Sequence, residues 1–140
     1  MFMRSARRAA TVTGLFFLGA SVLTATPAYA GVRGDIRNDL PASYTVKIAT
    51  FGGGSSSCRT WNAGTQRCTH WWLPSGKADE GTDGIRPGMD TDGFMVEQPV
   101  LVVLPTGVAI RVAAFTWTKI SDFEDVHCSV SGGARCVISS

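Results

Sequence analysis

The sequence predicts an all-β protein, a small antiparallel sandwich or barrel closed by two cystine-stapled hairpins. Three observations carry this expectation. Apolar residues alternate with period two over Tyr44–Ala49 and Val108–Ala114, the spacing of a half-buried strand. Asn62-Ala63-Gly64, Pro105-Thr106-Gly107 and Ser131-Gly132-Gly133 share a glycine in third place, where a three-residue hairpin loop needs left-handed backbone. Cys58 and Cys68 flank the first of these turns, and Cys128 and Cys136 flank the last. Tight turns between short strands join antiparallel neighbours, which is the pattern of a sandwich or barrel.

The N-terminus belongs to targeting and not to the fold. Arg4, Arg7 and Arg8 precede an apolar run from Leu15 to Leu23, and Ala28-Tyr29-Ala30 supplies a small-x-small cleavage site. This is the layout of a secretory signal peptide over residues 1–30, with an apolar part too short for a membrane anchor. The expected mature chain is 31–140, a single secreted β domain. Of the 13 Lys and Arg residues three lie before residue 31, whereas all 11 acids lie after it, which leaves the mature part at a net charge of −1. Its arginines are scattered among acids, so no basic patch for nucleic acid is expected.

An even cysteine count in an exported chain reads as two disulfides. Three pairings are possible, and proximity across the hairpins favours Cys58–Cys68 with Cys128–Cys136. A zinc site is not expected, because nine and seven residues intervene between the paired cysteines and there is no Cys-x-x-Cys. No cofactor is implied.

Along the mature chain, 31–41 reads as a polar arm and 43–51 as a strand. Gly52-Gly53-Gly54-Ser55-Ser56-Ser57 reads as a flexible loop, on the ground that such residues resist ordering. Residues 74–93 contain five glycines and five acids without apolar periodicity, which predicts a long surface excursion. Within it Asp90-Thr91-Asp92-Gly93 is like the start of a calcium loop but lacks the remaining ligands. The expected core lies in 94–118. Val100–Leu104 is apolar throughout and reads as a strand covered on both faces, and 108–118 reads as one returning strand. Ser121-Asp122-Phe123-Glu124 has capping-box spacing, which predicts one short helical turn.

The stretch Cys58–Trp72 concentrates the candidate binding residues: Trp61, His70, Trp71 and Trp72. Period two sends Trp71 and Trp72 to opposite faces, so one ring packs inward while the other is expected exposed near the cystine, beside Trp61. An exposed indole beside polar groups suits stacking on a sugar ring or a partner protein. The leading expectation is therefore a secreted, non-enzymatic binding module whose ligand is a cell-wall glycan, a surface partner or a protease. The alternatives are a membrane-active toxin and a small hydrolase. For the latter, Glu97, Arg111 and His127 follow the order of base, phosphate-binding arginine and acid in small secreted microbial ribonucleases. The N-terminal helix and basic groove of those enzymes have no counterpart here.

Arg37-Asn38-Asp39-Leu40-Pro41, the strand Tyr44–Thr50, Cys58-Arg59-Thr60-Trp61-Asn62 and Trp117-Thr118-Lys119-Ile120 together resemble small secreted proteins of high-GC Gram-positive (actinobacterial) type. The resemblance implies export and transfers no site residues.

Overall fold

The computed structural model describes residues 34–140; the signal peptide predicted over 1–30 lies outside them. Ten strands follow in order: β1 (Asp35–Asn38), β2 (Val46–Thr60), β3 (Gly64–Leu73), β4 (Lys77–Ala78), β5 (Gly93–Val96), β6 (Val100–Val103), β7 (Ala109–Val112), β8 (Thr116–Lys119), β9 (Asp125–Val130) and β10 (Ala134–Ser139). They form a six-stranded sheet, β4-β1-β9-β10-β6-β7, and a four-stranded sheet, β3-β2-β5-β8. Both predicted disulfides are formed, Cys58–Cys68 and Cys128–Cys136. The all-β expectation holds, with one refinement. Three of the pairings, β1–β9, β6–β10 and the short contact of β2 with β8, are parallel.

The two sheets face each other through alternate residues. Ile36, Val126, Cys128, Cys136, Ile138, Val100, Val102 and Val112 come from the larger sheet. Val46, Ile48, Leu73, Phe94 and Val96 meet them from the smaller one. The β-branched content suits a pleated, half-buried surface. Asn38 joins the layers, its amide Nδ2 donating to the Leu73 carbonyl (2.8 Å) while its Oδ1 accepts from the Leu40 N–H (3.0 Å). A second, smaller core forms on the other face of the four-stranded sheet from Ala49, Cys58, Cys68, Met95 and Trp117, with Phe51 against it. It exists because β2 bends. Its first half pairs with β5 and its end returns to β8, where Thr60 opposes Trp117. Beyond that point the Trp61 N–H donates to the Trp117 carbonyl (3.1 Å), and the Asn62 amide exchanges two hydrogen bonds with the Lys119 backbone. The sheet thereby curls over its own outer face.

Gly52–Ser57 is the hinge of that bend and not the flexible loop expected. Phe51 and Ser56 both oppose Cys68, so four residues bulge out of a strand that pairs on either side. Gly52 and Gly54 take φ of 95° and 91°, and a Cβ on Gly54 would collide with Thr69 and the Cys68 carbonyl. Glycine here permits the strand to turn, a use of conformational freedom distinct from disorder.

Several other expectations are corrected. Residues 35–38 of the supposed arm form β1, inside the larger sheet. The single strand expected over 108–118 is two, broken at Phe115, a non-glycine at φ 63° whose N–H donates to Val96 (2.9 Å). The break passes the chain from one sheet to the other. Val100–Val103 is buried on alternate residues only, not covered on both faces among the described residues. Ser121–Glu124 is a β-turn and not a helical turn: the Glu124 N–H reaches the Ser121 carbonyl (3.1 Å) and the Glu124 carboxylate accepts from the Ser121 N–H (2.9 Å). Only the carboxylate half of the capping box is thus made, since the Glu124 N–H goes to the Ser121 backbone carbonyl, and Asp125 enters β9 at once.

Residues 74–93 are more than a solvated excursion. Asp79 is fully buried, and its carboxylate accepts from the N–H of Ile36 (3.1 Å), the N–H of Glu80 (2.9 Å) and the Thr91 hydroxyl. Desolvation raises its pKa, opposed by these hydrogen bonds. Polar residues hold this segment in place where apolar periodicity is missing.

Candidate functional site

Strand β3 is an edge of the four-stranded sheet, and its alternation distributes the candidate residues. Leu73 and Trp71 point toward the sandwich core, where Trp71 packs half-buried. Trp72 and His70 point to the outer face, as does Cys68 of the cystine. Across that face Trp72 opposes Lys47, Lys47 opposes Met95, and Met95 opposes Trp117. In the next row His70 opposes Ala49, which opposes Gly93. Trp117 is 5% exposed, with Phe51 edge-on at 6.5 Å and His70 tilted over it at 5.8 Å between ring centroids. Gly93 makes room for this packing, because a Cβ there would stand 2.6 Å from the Phe51 ring.

Trp72 is the residue that this core leaves out, at 61% exposure. Beside it Lys47 pairs with Glu97 (3.5 Å), both partly exposed. An indole face, an ammonium, a carboxylate and an imidazole thus share one face of a sheet, with rigid strands beneath the tryptophan, lysine and histidine. Apolar surface for stacking lies next to groups that donate and accept hydrogen bonds.

The other candidates are elsewhere. Trp61 is 37% exposed, and its indole N–H donates to the Thr118 hydroxyl (2.9 Å). Thr118 faces away from Trp117 along β8, so Trp61 lies on the opposite side of the sheet from Trp72. The expectation that it sits beside the exposed ring is therefore corrected. It locks the hairpin tip to β8. Trp71 carries the Arg86 guanidinium 4.3 Å above its ring.

Glu97, Arg111 and His127 are not brought together. Glu97 follows β5 in the smaller sheet, while Arg111 and His127 are on β7 and β9, three strand spacings apart in the larger one, roughly 14 Å. His127 Nε2 instead lies 2.8 Å from Asp39 Oδ2, and Arg37 bridges Asp39 (2.9 Å) and Asp83 (3.0 Å). The Asp39 pKa is lowered, chiefly by its hydrogen bond to His127 and then by Arg37. These groups are exposed, so their pairing contributes little to stability.

The carboxylates of Asp90, Asp92 and Asp122 approach within 4.8 Å of one another. Asp92 Oδ2 also accepts from the Phe51 N–H (2.8 Å), while the Thr91 hydroxyl is turned inward to Asp79.

Sequence reasoning found Trp72 and His70 but missed Lys47 and Glu97 as their neighbours. Their signal was the alternation of 43–51 and 93–97, whose register against β3 no single segment reveals. No protein-family model, curated protein or solved structure matches the chain. The two cystines accord with an oxidising, extracytoplasmic environment.

Proposed function

We propose that this protein is an exported binding module that takes a glycan on the outer face of its four-stranded sheet. The observation that carries the reading is Trp72, a large apolar ring left exposed on a rigid strand beside a cystine-braced core. A pyranose presents C–H bonds on its face and hydroxyls at its rim. Trp72 offers the stacking surface, and Lys47, Glu97 and His70 offer donors and acceptors for the hydroxyls. Cell-wall polysaccharide is the glycan an exported protein of this kind meets first. The predicted signal peptide and the two cystines support export.

Titration of the purified protein with soluble cell-wall polysaccharide tests the reading through tryptophan fluorescence and calorimetry. Trp72→Ala is expected to weaken binding at least tenfold, about 1.4 kcal/mol, while a surface truncation leaves stability within about 0.5 kcal/mol. Binding that survives Trp72→Ala unchanged, or no binding at all, refutes it.

A further inference from the structure

A second recess lies on the opposite face of β3, where Trp71, Ile85, Arg86, Pro87, Gly88 and Met89 line an open cleft of about 470 Å³. That volume is in the range of small-ligand sites, roughly 300–1,000 Å³. Its walls are held by backbone bonds made without a ligand. The Ile85 N–H donates to the Ala78 carbonyl (2.9 Å) and the Arg86 N–H to the Asp79 carbonyl (3.0 Å), which ties the segment to β4. Arg86-Pro87-Gly88-Met89 closes a turn through the Met89 N–H and the Arg86 carbonyl (3.0 Å). Proline second and glycine third, with Gly88 at φ 84°, are what a type II turn requires.

The charge in this cleft is the informative part. The Arg86 guanidinium stacks on Trp71, yet among the described residues no carboxylate lies within ion-pair distance of it. Nearby acids are engaged elsewhere: Glu80 accepts from the Gly88 N–H (2.8 Å), Asp83 takes Arg37 (3.0 Å) and Asp79 is buried. The Trp71 ring takes the guanidinium against one side, and a guanidinium without an ion-pair partner can receive a carboxylate in bidentate fashion. Ile85, Pro87, Met89 and the margin of Trp71 supply apolar contact around it.

We infer that this cleft binds a carboxylate carried on an apolar body, the chemistry of a peptide C-terminus that ends in a hydrophobic residue. The site is separate from the glycan face, because alternation along β3 places Trp71 and Trp72 on opposite sides of the sheet.

The test uses N-acetyl-leucine as probe and N-acetyl-leucinamide as its uncharged isostere, followed by NMR of the Trp71 indole N–H and the Arg86 Nε–H. The acid is expected to shift both signals and to bind at least tenfold more tightly than the amide. Arg86→Gln should remove that preference, whereas Trp72→Ala should leave it intact while affecting glycan binding. Equal binding of acid and amide, or no shift of either signal at millimolar acid, overturns the inference. Should Arg86→Gln not fold, the acid–amide comparison on the unaltered protein decides alone.

Discussion

Replacing Asp79 tests whether a single buried carboxylate organises the segment 79–92. Its partners are the Ile36 and Glu80 N–H groups and the Thr91 hydroxyl. Asp79→Ala orphans all three donors. Those of Ile36 and Thr91 are buried and cannot turn to water, and each costs about 1–3 kcal/mol. The Glu80 N–H, in a partly buried residue, recovers some solvation. Removing a buried charge offsets part of the loss, so the expected net cost is about 2–4 kcal/mol. For a domain of this size that lowers Tm by roughly 10–20 °C. Asp79→Asn retains Oδ1 for both N–H groups and presents its amide to the Thr91 oxygen, so it should cost about 1 kcal/mol or less. Denaturant titrations with an unchanged slope would report the difference. The pH dependence follows from the same burial. A carboxyl whose pKa is raised by folding binds its proton more tightly in the folded state. Its contribution is fully present below the ordinary aspartate value and is lost as pH rises through the folded value. The stability of the native protein relative to Asp79→Asn should therefore increase as pH falls through that window. An Asp79→Ala cost below about 1 kcal/mol, or an equal cost for Asn and Ala, would refute the reasoning.

Other perturbations separate the two cores from the exposed surface. Trp117→Ala should destabilise by about 3–5 kcal/mol, because the ring is enclosed by Phe51, Met95 and the first cystine; a cost like that of Trp72→Ala in thermal unfolding would show that the second core is not structural. Replacing Cys58 and Cys68 together by serine should cost about 3 kcal/mol from the short loop they close. Proteolysis should then appear first at 52–57, and unaltered cleavage there would argue against the cystine as the brace of the bend.

Much of this architecture is legible in local pattern. The three glycine-third turns each join the strands expected, because a tight loop determines its own backbone. Both cystines follow from the hairpins that flank them. The alternation at β3 was enough to part Trp71 from Trp72, since side-chain direction in a strand depends only on position. The misread segments share a different property. Gly52–Ser57 stays in β2 because Cys68 pairs on both sides of its bulge, and 108–118 splits at Phe115 because one half belongs to each sheet.

The amino-acid sequence by itself determined the fold class, the turns, the disulfide pairs and which tryptophan faces opposite to which. Tertiary structure alone decided that β2 bends back onto β8, enclosing Trp117 and leaving Trp72 outside. It also set Lys47 and Glu97 next to Trp72, moved Trp61 to the other side, and buried Asp79 beneath an otherwise polar loop. The reason is one of range. Turn geometry and strand alternation act between neighbours in the chain, whereas register, burial and exposure depend on partners tens of residues away.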